Sequence, residues 1–546
     1  MLRKHWVAGS TPVIGFENML TRRQFNKLLL ATALFPTVAC TQLRKTNFIP
    51  GVLRLNLGFE PDTLDWLKAT DSYSFDVITN IMVGLTKYNN ELKSIPSLAK
   101  GWKISNDGRT YHFLLDKDAK WSDGRPLLAE DFIYSWERIL NPETAGPYAY
   151  LLYPIKNAAL YNTGKIQDPK LLGFKAINDG VIEVNLESPL AFFLNLTSWA
   201  VYFPQRKDIV EKYKDDWTEP QNMVTCGPFL LDKWKHEYKL SLKRNPYYLN
   251  PIPLLEQIRY YMVPEQSSAF SLYLNNELDF IDNRSIPISE IETVRKMPET
   301  EIYPLLRGTY IGFNVNKPPF DNKYVRAAFS HAINRTVFPK ILKREEAPSS
   351  TWIPPGLKDF YSPDIGCNFD VNKAREFLAK AGFPNGNNFP KVTMHFPTRE
   401  DAKLIAESVQ ALWKKILNVD VEIVNQEWKV YLSTLQRDPP HMFRMSWGAD
   451  FPDPDTFMTL FTSTSGNNHG RWKNKTYDEL VLQAATTLDL SKRKILYKKA
   501  QQLLLEEDIA IAPLFFNTQV LLNKPWVKNL KFNAMDLVFC EDIAVK

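Results

Sequence analysis

The sequence predicts an α/β protein of two or three domains, and three observations lead there. At 546 residues the chain exceeds what one hydrophobic core organises. Its composition, 44% apolar and 23% charged, is that of a globular protein in water. From about residue 311 helical segments alternate with short strands in the order that builds βαβ units, whereas the stretch of about 170–310 is mixed and strand-rich.

The elements justify themselves in chain order. The N-terminus reads "MLTRRQFNKLLLATALFPTVAC". Arg22, Arg23 and Lys27 precede an apolar run from Leu28 to Val38, too short to span a bilayer, and the run ends at Ala39-Cys40. Basic, apolar, small, then cysteine is the order of an export signal. It resembles a bacterial lipoprotein signal, in which Cys40 becomes the lipid-modified first residue. "TRRQFNK" also resembles a twin-arginine signal, and a general secretory signal fits as well. Met19 is a candidate true start, which would make residues 1–18 an extension. The expectation is a signal over 1–39, a tether over 40–47, and a periplasmic protein held at a membrane through Cys40.

Beyond the tether, "VLRLNLG" (Val52 to Gly58) and "TYHFLL" (Thr110 to Leu115) alternate like strands. After the turn at Ser122-Asp123-Gly124, Pro126 precedes a helix with Phe132, Trp136 and Leu140 on one face. "GVIEVNL", "KLSLKRN" and "QIRYYMV" are further strands. Helices are expected over Lys323–Leu342, Val371–Gly382, Glu400–Leu417 and Tyr477–Leu488, with "VTMHF" and "VDVEIV" as strands between them.

Charge and motif content narrow the function. The formal charge of +6 is mostly in the leader. Removing its five cations and Glu17 leaves +2, and no basic stripe for nucleic acid is visible. GxSxG, HExxH and Walker A patterns are missing, and the seven histidines are dispersed, so an enzyme is not expected. Asp450, Asp453 and Asp455 do not form a calcium loop, because Pro452 and Pro454 break it and its glycine is missing. No metal and no cofactor are expected. Cys226, Cys367 and Cys540 are far apart without a CxxC pair; at most one disulfide forms, or all three are buried thiols. Aromatics at 13% suit a carbohydrate or peptide pocket as well as a core.

Five long blocks recur in the order found in one family. They are "GFEPDTLDWLKATDSYSFDVITNIMVGL", "AKWSDGRPLLAEDFIYSWERILNPETAGPY", "NKPPFDNKYVRAAFSHAINR", "NVDVEIVNQEW" and "KPWV". With the leader they make the chain resemble the extracytoplasmic solute-binding proteins of the oligopeptide class, family 5, the receptors of peptide ABC importers. The resemblance implies a bilobal periplasmic-binding-protein fold with a hinge and an extra domain, the ligand enclosed between lobes. Domain I would comprise 48–84, 204–306 and 521–546, domain II 85–203, and domain III 307–520. Implied partners are short peptides, an inner-membrane ABC permease with its ATPase subunits, and the membrane through a lipid anchor; the protein itself would be a monomer. Other cargo on the same scaffold (glutathione, a murein peptide, haem or nickel) and a secreted enzyme or chaperone-like factor are the alternatives.

The resemblance also implies site residues. Asp450 would accept the ligand's terminal ammonium, because a buried amine needs a carboxylate. The strand Ser446 to Ala449, with Trp447 and Gly448, would pair with the ligand backbone, with Tyr148, Thr70 and Ser72 at other backbone contacts. Trp428 would wall a side-chain pocket, Arg444 would meet a carboxylate, and Asn283 and Tyr310 would fall at or near the lining. Each has a plain alternative: a cap for Asp450, an ordinary ion pair for Arg444, core packing for Tyr148 and Trp428. Three departures from the family pattern alter the pocket floor. Arg307 and Gly448 replace a cysteine pair, Ala402 replaces a histidine that meets longer peptides, and Thr70 stands where relatives carry an acid. Gly448 would open room, and Arg307 would either hold an acidic ligand group or pair with a protein acid.

Overall fold

A computed structural model describes residues 48–249 and 251–546; the signal expected over 1–39, Cys40 and the expected tether over 40–47 lie outside the described residues. Phe48–Lys546 forms one compact unit, in which two sheets differ in size and location. The smaller is a four-stranded antiparallel sheet made by β2 (Ala99–Ile104), β3 (Thr110–Leu115), β4 (Phe174–Asn178) and β5 (Val181–Asn185), in the order β2-β3-β5-β4. Helix α2 (Ala129–Leu140) packs near it, with Phe132, Trp136 and Leu140 all buried as their spacing predicts. Asp131 fixes its start by accepting the Leu128 N–H and the Trp121 indole N–H, each at 2.9 Å.

The larger sheet has eleven strands. One half contains β1 (Val52–Asn56), β6 (Phe229–Lys235), β7 (Lys239–Arg244), β8 (Gln257–Tyr261) and the short β9 (Phe280–Ile281). The other contains β10 (Thr300–Phe313), β11 (Val392–Pro397), β12 (Val421–Gln426), β13 (Met442–Gly448) and β14 (Ile511–Asn523). The path is β12-β11-β13-β10-β14-β9-β1-β8-β7-β6, and the strand Ala347–Pro348 adds to β14 off this path. Strands β11 and β12 pair in parallel across helix α4 (Glu400–Leu417), the βαβ unit expected from the sequence. Strands β10 and β14 are long and antiparallel, and their register shifts between Pro304 and Gly308 and again after Thr309.

The chain ends close on the beginning. The Gly51 N–H donates to the Val545 carbonyl, the Asn80 amide to the Val538 carbonyl, and Lys87 pairs with Glu541 at 2.7 Å. Cys226, Cys367 and Cys540 are buried free thiols. The helix expected over Lys323–Leu342 stops at His331. Asn334 turns its side chain onto the Thr336 N–H, and Pro339 then sits at the start of a short second helix, Phe338–Leu342.

Candidate functional site

A cavity of about 240 Å³ lies where the N-terminus of α1 (Ser72–Ile81), Tyr148 and strands β10, β13 and β14 converge. Eleven of the twelve residues expected at the site line it: Thr70, Ser72, Tyr148, Asn283, Arg307, Trp428, Arg444, Trp447, Gly448, Ala449 and Asp450. Tyr310 does not. It is 1% exposed and packs edge-on against Trp352 and Phe461. The correction is one of parity: Arg307 and Thr309 face one side of β10, so Tyr310 faces the other, into the core.

The main polar feature is one edge of β13. Its other edge pairs with β10 from Arg307↔Gly448 to Phe313↔Met442. On the cavity side only Met442 and Phe443 pair, with β11, before the two strands part. The Ala449 N–H donates to Leu306 on β10, while the Arg444 carbonyl points the other way, to the Tyr431 hydroxyl. By the alternation of an antiparallel ladder, Ser446 and Gly448 present N–H and C=O at this open edge. An extended main chain laid beside it would find both partners.

Asp450 follows that edge. It is 7% exposed and pairs with no cation among the described residues. Its partners are the Tyr148 hydroxyl, at 3.4 Å, and Thr456, whose Oγ1 also accepts the Asp450 N–H at 3.1 Å. Burial outweighs both and pushes the carboxyl up to about 8. The neighbouring acids are used differently. Asp453 takes two bonds from Arg493, at 2.8 and 3.0 Å, and Asp455 accepts from Thr459 and Tyr497. The proline-broken run is therefore a loop whose other two acids are held by groups outside it, Arg493 and Tyr497, and it leaves Asp450 without a counter-charge.

Arg307 and Gly448 are adjacent cross-strand partners, as their positions implied, but Gly448 opens no room. A Cβ placed there would lie 3.1 Å from the Arg307 Nε, so the arginine already fills the space. Arg307 reaches Asp536 at 3.7 Å, the protein-acid alternative. Ala402 is not at the floor: it sits in the first turn of α4 on its core-facing side, fully buried, while its neighbours Arg399 and Asp401 line the cavity. Asn283 lines it too, yet its amide serves β14, donating to the Thr518 carbonyl and accepting from the Val520 N–H.

Sequence reasoning missed Arg284, Arg344, Arg399, Asp401 and Asp536, all in the lining. Arg399 carried a signal. It occupies the cap position of α4 without capping it, where Ser, Thr, Asp or Asn is preferred.

Comparison with known proteins adds a lineage. The model of the bacterial extracellular solute-binding proteins, family 5, matches residues 93–469. The chain is 31% identical to an Escherichia coli protein named as the probable deoxycholate-binding periplasmic protein YgiS, over 91% of this chain and 94% of that one. It is 33% identical to the oligopeptide-binding protein OppA of Bacillus subtilis, over 88% and 89%. Among solved structures, the Escherichia coli murein tripeptide binding protein MppA superposes with a TM-score of 0.86 at 32% identity, covering 90% of this chain and 98% of that one. The unliganded open form of MppA, at the same identity and covering 91% and 98%, reaches only 0.66. The present arrangement is thus unlike the open one.

Proposed function

The chain belongs to the bacterial extracellular solute-binding proteins of family 5, and from that premise we propose that it captures short peptides in the periplasm and delivers them to an inner-membrane ABC permease. One observation carries the reading: a buried carboxyl group with no cation beside it among the described residues, Asp450, stands at the end of an open strand edge. The ligand's α-ammonium supplies the counter-charge against which Asp450 ionises, and its backbone extends the sheet at Ser446 and Gly448. Side chains then point away from the edge and can vary.

The lobes we propose are 48–84, 204–306 and 521–546 for the first, with 85–203 as the additional domain and 307–520 as the second. In support, the register shifts of β10 fall at the 306/307 boundary. Two hydrogen-bonded strands crossing there would form the hinge, and the ligand would shift the population toward closure. The chain acts as a binding protein, without a catalytic step of its own, as a monomer anchored through lipidated Cys40.

The test is calorimetry with a tripeptide, its N-acetylated form and deoxycholate, together with mass spectrometry of ligand retained through native purification. Binding of the free amine alone is expected. Equal affinity for the N-acetylated peptide, or binding of deoxycholate alone, refutes the reading.

A further inference from the structure

At the opposite end of the open edge from Asp450, the cavity wall changes sign. Arg344, Arg399 and Arg444 meet there, with Asp401 and Glu346 as the nearby acids. Asp401 is committed. It accepts from Arg399 Nε and Nη2 at 3.0 and 3.1 Å and from the Ala402 N–H at 2.8 Å, and Arg344 stands 3.7 Å away. Burial works against its charge, yet the Arg399 guanidinium holds it far below the usual carboxylate range.

Glu346 is committed at one oxygen only. Its Oε2 accepts the Thr518 N–H at 2.6 Å, and its Oε1 has no hydrogen-bond partner. Burial pushes this carboxyl up to about 7, which weakens it as a counter-ion.

The guanidinium donors are mostly unused. Arg444 is 8% exposed, and among the described residues no acceptor hydrogen-bonds it and no carboxylate stands within ion-pair distance; its Nε is buried without a partner. Arg344, 4% exposed, gives one long bond of 3.5 Å to the Asn283 carbonyl, stands 3.7 Å from Asp401, and likewise has an unpartnered Nε. Each guanidinium offers five donors in a planar fork, and a carboxylate takes about two of them. One terminal carboxylate therefore satisfies one fork and leaves the other open. Leaving a buried guanidinium unpaired is costly.

We propose that this end of the cavity takes two anionic groups at once, so that the preferred ligands are short peptides ending in an acidic residue. Arg444 takes one carboxylate and Arg344 the other, and Arg399 acts as a positioning residue that keeps Asp401 from quenching them. Length follows as well. Arg444 and Asp450 are six positions apart, about 20 Å of extended chain at roughly 3.3 Å per residue, so the ligand has at most about six residues.

This inference rests on the peptide reading, and the experiment separates the two. Calorimetry on the mature protein compares Ala-Ala-Ala-Ala-Glu, long enough to reach from Asp450 toward Arg444, with its neutral isostere Ala-Ala-Ala-Ala-Gln, and the same pair lengthened by one N-terminal alanine. The acidic member of each pair is expected to bind at least about tenfold tighter, as for a site whose buried donors are otherwise unpaired. In Arg344→Gln that ratio should fall to within about threefold, with melting confirming an intact fold. Equal affinities for Glu and Gln in the wild type overturn the acidic preference and leave the peptide reading standing. A ratio that persists in a folded Arg344→Gln also overturns it. Failure of all four peptides to bind overturns both. The wild-type comparison decides even if the variant does not fold.

Discussion

Replacing Asp450 by asparagine keeps the shape of the side chain and removes only its charge. Two effects of opposite sign are expected. In the folded protein the carboxyl is pushed up to about 8 by burial, whereas in the unfolded chain it titrates near 3.9. The folded state therefore holds a proton that the unfolded state releases, and stability falls as pH rises from about 4 to about 8. Each unit is about 1.4 kcal/mol, so at pH 7.5 the ionisable group destabilises the empty protein by something of order 2–5 kcal/mol. Asparagine escapes this, and the melting temperature of the unliganded variant should rise. Binding should move the other way. Truncating one member of a buried charge pair costs about 2–5 kcal/mol, roughly 30- to 5,000-fold in affinity. Scanning calorimetry of the empty protein and titration calorimetry with a tripeptide at pH 7.5 read both. A variant that binds within about threefold of wild type removes Asp450 from the amine site. A variant that loses binding and also melts lower refutes the claim that the empty carboxylate is strained.

Three further outcomes follow from the same geometry. Peptide affinity should rise about tenfold per pH unit up to about pH 8, as Asp450 becomes ready to ionise, and fall beyond it as the ligand's amine, near 7.7–8.0, loses its proton; a flat profile between pH 6 and 8 contradicts this. Ligand at 100 times its Kd should stabilise the protein by about 2.7 kcal/mol and reduce the radius of gyration in small-angle scattering, and no change in either would remove the hinged receptor. Gly312→Ala should destabilise by about 1–3 kcal/mol or more, because its Cβ would lie 2.2 Å from the Phe443 ring, which is held between Tyr310 and His469; an unchanged urea midpoint would show that the ring can move.

Much of the fold was legible because period and capping are local. Thr110–Leu115 and Glu400–Leu417 have in the structure the ends their patterns gave. Legibility failed where a decision was tertiary. The Lys323–Leu342 pattern runs helical throughout, yet Asn334 and Pro339 divide it. The site was legible as motif positions, but a motif does not carry parity: Arg307 and Tyr310 are three apart on one strand and must face opposite ways. Nor does it carry the cross-chain meetings of Arg344, Arg399 and Arg444, which come from three separate elements. The state of Asp450 was inferable from its role; the contrast with Asp453 and Asp455 needed Arg493 and Tyr497, some forty residues away.

The closure of the chain's end on its beginning has a consequence for biosynthesis. Residues 538–545 supply hydrogen-bond and ion-pair partners to residues 51–87, and β14 joins the two halves of the large sheet. Residues 51–87 are therefore completed by a segment made some 450 residues later. Segments ordinarily consolidate in the order they emerge; here residues 51–87 must wait for the partners that 538–545 supply. Until residues 538–545 have been made, the earlier hydrophobic segments lack part of their native cover, which leaves the nascent chain open to chaperone capture. Removing residues 538–545 would be felt most around residues 51–87, far away in sequence.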